Sequence, residues 1–432
     1  MNPSRYLFLQ GQISRFFAAL GQGLAQRGHA VHRIHFNAGD AQLWALPGAV
    51  DFTGDLAAWP DFFNAQVQRW GITDLVLFGD CRPLHREAIR LARQQGVVVH
   101  VFEEGYLRPD FITLESGGVN GHSTLPRDAA AYLAAAETLP LWQTPTAIPA
   151  SFARRAWDDV RYHLGSTLGG WRFPHYRHHK PWHPLREYWV GARRFPLKLL
   201  TRARTTQRAR AVELGVSPYF LFPLQLDADS QIRFHAPAGG VAGAITQALH
   251  SFASTAPSAA RLVITEHPLD YGPVDVSGVV ARLAQETGMG ERVVFLRGGS
   301  PMALVKAAHG MVTVNSTIGI TALSVGVPVI TLGTAIYDLP GLTHQQGLDA
   351  FWQAPQRPDP LLFDAFRRVV AARTQVHGGF YSAEGIALAV AGAVQRLAPP
   401  ARLHSESSQT AVAAPPAPAW QGAQALAPQH PA

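Results

Sequence analysis

Cysteine is nearly missing from this chain: Cys81 is the single thiol in 432 residues. No intramolecular disulfide can form and no cysteine-rich metal site can be built, which fits a reducing cytoplasm. Long hydrophobic runs are missing as well. No uninterrupted apolar stretch approaches the roughly eighteen residues that argue for a membrane-spanning helix. Met1 to Leu9 lacks the basic and apolar regions of a secretory signal. The expectation is therefore a cytoplasmic protein, soluble or bound at a surface. Neither G-x-G-x-x-G nor G-x-x-x-x-G-K-[ST] occurs, which counts against dinucleotide oxidoreductases and P-loop enzymes.

Acidic residues are scarce in one place. Between Arg172 and Arg210 the only acid is Glu187, while arginines, lysines and the tryptophans Trp182 and Trp189 crowd the same stretch. Over the whole chain 37 Lys and Arg face 30 Asp and Glu. Such a surplus favours anionic partners: nucleotide sugars, nucleic acid or an anionic membrane surface.

What is present is the texture of two α/β units. A chain of 432 residues with 47% apolar content is long enough for two ordinary domains. Tyr6 to Leu9 is a short apolar run, Phe16, Phe17, Leu20 and Leu24 recur at helical spacing, and Val31 to Phe36 predicts a second strand. Leu75 to Phe78 and Val97 to Phe102 flank a helix-compatible stretch and repeat the unit. Strand signals resume at Tyr219 to Leu224, Leu262 to Thr265, Val293 to Leu296, Met311 to Val314 and Val327 to Leu332. The predicted organisation is a Rossmann-like domain over 1–215 that includes a basic helical region at 151–215. A second Rossmann-like domain follows over 216–397, then a disordered Ala/Pro-rich tail over 398–432.

Four motifs carry chemistry. Glu266-His267-Pro268 follows a predicted strand, where loops face the ligand crevice of an open α/β sheet. Proline fixes the backbone beside His267, whose imidazole can donate to a phosphate oxygen or bring positive charge to a departing nucleotide. Asn315-Ser316-Thr317 lies between a strand and a helix, so its hydroxyls and amides can cap that helix or converge on a phosphate. Glu103-Glu104-Gly105-Tyr106 ends a strand of the first domain. Neighbouring carboxylates in a cleft suit acid/base or nucleophilic work. Gln225 to Asp229 follows the first strand of the second domain, where Gln225 and Asp229 can meet a base or a sugar. Too few carboxylates converge there to hold a metal, so no metal site is expected.

With these motifs in hand, the chain resembles the bacterial capsule polysaccharide biosynthesis and export family of KpsS and KpsC type. The resemblance spans roughly residues 5 to 355. It rests on Phe8-Leu-Gln10-Gly11, Phe36-Asn37-Ala-Gly39-Asp40, Glu103-Glu104-Gly105-Tyr106-Leu-Arg108-Pro109, Glu266-His267-Pro268, Asn315-Ser316-Thr317 and Gly326-Val-Pro328. The resemblance implies a GT-B-like enzyme, two Rossmann-like domains facing a cleft, that takes Kdo from CMP-β-Kdo. A KpsS-like member would place it on phosphatidylglycerol or its lyso form, starting a β-Kdo linker at the inner face of the cytoplasmic membrane.

By that carry-over His267 and Glu104 are the catalytic candidates. Pro268, Asn315, Ser316, Thr317, Gln225 and Asp229 lie on the donor side. Gln10, Asn37, Glu103, Tyr106 and Arg108 lie on the acceptor side. KpsC-like sequences tend to carry Asp where this chain has Glu104. Donor and product are both β in this family, which implies retention and a carboxylate that acts as nucleophile or base. No cofactor beyond the donor is implied, and other capsule assembly proteins are possible partners. Two other readings stand beside it: a non-catalytic adaptor of a capsule export complex, and another nucleotide-sugar enzyme such as an epimerase. Nucleic-acid binding is not expected, because no recognisable module accompanies the basic residues.

Overall fold

The computed structural model describes residues 3–149, 152–178, 203–215, 217–226, 236–267, 275–298 and 301–399, with the single positions Val190, Leu200 and Ile232. The first sheet contains β1 (Arg5–Phe8), β2 (Ala30–His35), β3 (Ala49–Asp51), β4 (Asp74–Phe78), β5 (Val98–Glu104) and β6 (Phe111–Ser116). The second contains β7 (Tyr219–Pro223), β8 (Arg261–Thr265), β9 (Val293–Leu296), β10 (Gly310–Thr313) and β11 (Val329–Thr331). A last strand, β12 (Gln375–His377), joins the first sheet.

Both sheets share one winding. Read from one edge, the first runs β3-β2-β1-β4-β5 and the second β9-β8-β7-β10-β11, every pair in these runs being parallel. This is the doubly wound, Rossmann-type order, and the two units in series form the GT-B-like α/β class expected. In each sheet the chain leaves its first strand on one side and returns on the other. The switch point, where ligands bind in such sheets, lies between β1 and β4 and between β7 and β10. Strands covered on both faces need continuous apolar runs, not alternation. Accordingly all five residues of β4 are buried, and Leu262, Val263 and Ile264 of β8 are fully so.

The antiparallel pairs lie at one edge, where β6 runs against β5 and β12 against β6. The return of β12 corrects the expected extent of the second domain, 216–397. Residues 375–397 belong with the first sheet, and the helix Ala383–Leu397 packs on the helix Phe16–Gln26. Phe380 stands edge-on to Phe16 at 5.1 Å, and Tyr6 Oη donates to the Leu397 carbonyl at 2.8 Å. The sequence around 375 carries no signal for this, because a three-residue edge strand is too short to show a period. Ala398 is also tied down, its carbonyl accepting from Arg27 at 2.7 Å. The tail expected beyond it lies outside the described residues from 400 onward.

One core joins the two sheet units: Tyr106, Leu107 and Tyr132 pack with Leu339, Phe366 and Val369. Arg127 Nη1 reaches the Ala335 carbonyl at 2.6 Å across that boundary. Of the basic region, the helix Phe152–Leu168 is described, residues 203–213 are helical, and most of 179–202 lies outside the described residues.

Candidate functional site

The first strand of the second sheet delivers Gln225 to the switch point. Its Nε2 donates to Asn315 Oδ1 at 3.0 Å, and the Asn315 backbone N–H donates to Gln225 Oε1 at 3.2 Å. One amide is thus held from both ends, across the gap between β7 and β10. Asn315, Ser316 and Thr317 are half-buried. Thr317 is the N-cap of the helix Ile318–Ser324 by position, but its side chain makes no cap hydrogen bond. The backbone amides of that first turn carry the positive end of the peptide dipoles, the arrangement that favours an anion. Tyr337 Oη donates to the Ser316 carbonyl at 2.6 Å and fixes the turn from below. A Cβ on Gly319 would collide with that phenol, so only glycine lets helix and tyrosine approach this closely. His267 is half-buried two residues past β8, the strand beside β7. Pro268 and Asp229 lie outside the described residues. The Gln225 and His267 loops and the Asn315 turn therefore sit at the carboxyl ends of three adjacent parallel strands.

The first sheet repeats the device. Gln10 follows β1, and its Oε1 accepts from Arg82 Nη1 at 2.8 Å across the β1/β4 switch point. Its Nε2 donates to Tyr162 Oη at 2.9 Å and Tyr176 Oη at 3.2 Å, which binds the basic helical region onto this sheet. Asn37 is a helix cap: its Oδ1 accepts from the Asp40 N–H at 2.9 Å and its Nδ2 donates to Tyr162 Oη at 2.8 Å. It is 2% exposed, so the structure gives it an anchoring place in the interior rather than the acceptor-facing one expected.

The carboxylates lie at the end of β5. Glu104 Oε1 accepts from Gln12 Nε2 at 3.1 Å and from Tyr381 Oη at 3.2 Å, while Glu103 Oε1 accepts from the Glu104 N–H at 3.0 Å. Burial and the Glu104 charge push the Tyr381 phenol well above its ordinary value, so it stays a donor. Arg155 stacks over the Tyr381 ring at 4.6 Å. Gly105 is required because a Cβ there would strike the Phe111 carbonyl. Tyr106 is a correction. It is 2% exposed, donates to Glu115 Oε1 at 2.7 Å and accepts from the Asn120 N–H at 2.6 Å. Its polarity is spent inside the core. Arg108 is exposed, with Nε on the Gly105 carbonyl at 3.2 Å.

Sequence reasoning missed a second polar group at the end of β4. Asp80 Oδ2 accepts from the Val119 N–H at 3.0 Å and lies 3.0 Å from His122 Nδ1, while Cys81 Sγ donates to Asp80 Oδ1 at 3.2 Å. Burial alone would raise the Asp80 pKa, yet these contacts, His122 first, hold it below its usual value. One ligand atom from each of Asp80, Cys81 and His122 lies within 4.8 Å of the others. Burial and the adjacent Asp80 push the Cys81 thiol far up, so within this network it acts as a hydrogen-bond donor. Gln12, Arg82, His122 and Tyr381 were equally out of reach: their partners lie 42 to 277 residues away.

Residues 73–381 match the family model described as capsule polysaccharide biosynthesis protein. The chain belongs to that family. Within it, the chain is 36% identical over 387 residues to the capsule polysaccharide export protein KpsS of Escherichia coli, covering 88% of this chain and 98% of that one. It is 35% identical over 386 residues to the capsule polysaccharide modification protein LipB of Neisseria meningitidis serogroup B, covering 87% and 91%. Among solved structures it is similar to the Thermosulfurimonas dismutans KpsC, beta Kdo 2,7 transferase, with a TM-score of 0.45 at 13% identity, covering 91% and 99% of the two chains. Among the described residues of this capsule-family chain, no helix is long and apolar enough to cross a membrane.

Proposed function

We propose that the chain is a glycosyltransferase of capsule assembly that moves Kdo from CMP-β-Kdo to a phosphatidylglycerol-type lipid and retains configuration. The observation that carries this reading is the Gln225–Asn315 amide pair at the β7/β10 switch point, with His267 on the neighbouring strand end. A ligand phosphate there meets helix-terminal amides, the Ser316 and Thr317 hydroxyls and an imidazole, without needing a metal. Kdo and phosphatidylglycerol come from the family resemblance, and the capsule export and modification proteins KpsS and LipB among the relatives support a role in capsule assembly.

In the transfer, the bond between the anomeric carbon and the CMP phosphate oxygen breaks, and CMP leaves with the electron pair. Retention follows when a carboxylate first replaces CMP on the anomeric carbon and the lipid hydroxyl oxygen then displaces it, or when the hydroxyl attacks from the face that CMP leaves. In either case the hydroxyl proton passes to a carboxylate. Glu104, oriented by Gln12 and Tyr381, is the proposed reactive carboxylate, and His267 stabilises charge on the departing phosphate.

The lipid acceptor requires the enzyme to work at the inner membrane surface. A face of the Phe152–Leu168 helix supports this. Trp157, Val160, Leu164 and Leu168 recur at helical spacing and are 67%, 45%, 56% and 71% exposed, and Trp171 beyond them is 82% exposed. Mass spectrometry of the product from purified protein, CMP-Kdo and a phosphatidylglycerol analogue tests the proposal. Absence of a Kdo-lipid, with intact donor remaining, would overturn it in favour of an adaptor role.

A further inference from the structure

A cavity of about 340 Å³ opens at the carboxyl ends of β1, β2 and β4, on the switch point of the first sheet. Phe36, Phe52, Leu56 and Leu84 give it apolar walls, and among the described residues no carboxylate lines it. Arg82 lines it from one side, held in place by Gln10, and Arg177 lines it with His175 and His178. Pro83 and Leu84 begin the twelve-residue helix Pro83–Gln94, so the positive end of its peptide dipoles also falls at the cavity.

The decisive feature is His85, which lines the same cavity and is 1% exposed. Its Nδ1 lies 2.8 Å from the Gly79 carbonyl oxygen, which can only accept, so Nδ1 carries the hydrogen. Burial, with Arg82 close by, lowers the His85 pKa to about 3, and the ring is neutral at ordinary pH. Nε2 is then a lone-pair acceptor, and among the described residues it has no hydrogen-bond partner. A buried acceptor left unmade is costly, and a ligand hydroxyl would recover that cost.

We infer that this cavity binds an anionic amphiphile that also carries a hydroxyl. The anion lies against Arg82 and Arg177, the hydroxyl donates to His85 Nε2, and the hydrocarbon lies along Phe36, Phe52, Leu56 and Leu84. A phosphoglycerol lipid has all three parts. The inference deepens the acceptor side of the proposed transfer and rests on that reading for the ligand's role.

The test is calorimetric titration of the full chain with lysophosphatidylglycerol below its micelle concentration. Lysophosphatidylcholine, glycerol 1-phosphate and dodecyl phosphate serve as comparison arms. Lysophosphatidylglycerol is expected to bind at least about tenfold more tightly than the first two, and a few-fold more tightly than dodecyl phosphate, which lacks the hydroxyl. Equal binding of glycerol 1-phosphate would make this a plain phosphate site, and equal binding of the choline lipid would remove the anion requirement. Either result overturns the inference, and equal binding of dodecyl phosphate overturns the His85 contact.

Leu56→Asp combined with Arg177→Glu changes two exposed positions. It should weaken lysophosphatidylglycerol binding about tenfold or more at unchanged Tm and unchanged CMP-Kdo affinity. Unchanged lipid binding in that variant overturns the site. The two readings separate cleanly. Wild-type protein that binds the lysolipid but forms no Kdo product keeps the cavity and loses the transfer. A double variant that makes product with wild-type KM for lipid keeps the transfer and loses the cavity.

Discussion

Gln225 and Asn315, ninety residues apart, exchange two hydrogen bonds and lock the ends of β7 and β10 together. Two such bonds contribute on the order of 2 kcal/mol, since each is worth about 1. Gln225→Ala removes both and should raise the KM for CMP-Kdo roughly thirtyfold. Gln225→Glu should be worse for the donor, because it sets a negative charge against Asn315 Oδ1 and against the donor phosphate. Initial-rate kinetics over a range of donor concentrations decides it. A normal donor KM in both variants would move the donor away from this switch point.

His267→Ala should lower kcat on the order of a hundredfold, the usual cost of deleting one preorganised donor to developing charge. Donor affinity should change far less, because the effect belongs to the departing phosphate. Single-turnover CMP release separates the two quantities. A normal rate in a variant with wild-type Tm ends the assignment of His267.

The contrast between these residues and those around Glu104 shows what one sequence discloses. Strand ends were legible because an apolar run followed by polar residues marks them, and in both sheets the candidate loops begin there. Asn315 to Thr317 and His267 stand where that rule put them. The partners were not legible, since hydrogen bonds from Gln12 and Tyr381 to Glu104 depend on how separate elements close in space. Tyr106 misled for a related reason. A tyrosine beside two acids in a loop reads as exposed, yet Glu115 and the Asn120 amide satisfy its hydroxyl inside the core. Asn37 resembled a ligand-facing polar residue and is a helix cap, two roles that use the same side chain at the same kind of strand end.

Glu104→Gln should abolish transfer while leaving CMP-Kdo affinity within about twofold, since the amide keeps size and polarity but cannot serve as nucleophile or base. Tyr381→Phe removes one of the two side-chain hydrogen bonds on that carboxylate and should slow transfer roughly tenfold, consistent with a bond to a charged group worth about 1.5 kcal/mol or more. Product formation and donor titration are measured side by side. Normal transfer by Glu104→Gln would shift the reactive carboxylate to Glu103, Asp227 or Asp229.

Glu115 supplies a pH prediction about stability. Burial raises its pKa from 4.5 to about 7, despite hydrogen bonds from Ser123 and Tyr106 that favour the charged form. The folded chain thus holds a proton that the unfolded chain releases above pH 4.5. The stability this proton supplies is present below that pH and is lost as pH rises through 7, a change of up to about 3 kcal/mol. Neutral, buried His85 works in the opposite direction, costing stability below pH 6.5 where the unfolded chain protonates. The difference between wild type and Glu115→Gln isolates the carboxyl. From pH 5 to pH 8 the Tm of the wild type should fall relative to that of the variant. Parallel Tm profiles would show that Glu115 does not titrate in this window.

The exposed apolar face of the Phe152–Leu168 helix makes the last prediction. A face of this kind is stable in water only at the cost of hydrating it, and the opposite side of the helix is already committed, with Tyr162 donating to Asp40 and His163 buried. Trp157 and Trp171 suit the headgroup level of a bilayer, and each arginine near an anionic leaflet adds about 1 kcal/mol of attraction. Arg154, Arg161 and Arg172 are exposed on the same segment. The purified chain should therefore co-sediment with phosphatidylglycerol-containing vesicles, release as salt rises, and ignore vesicles of phosphatidylcholine alone. Replacing Trp157, Leu164 and Leu168 together by serine should remove most of the binding at little cost in Tm, because those side chains are more than half exposed. Equal binding to neutral vesicles would leave hydrophobicity without charge recognition. Unchanged binding of the triple variant would move the contact off this helix, and either result would refute the membrane placement argued from it.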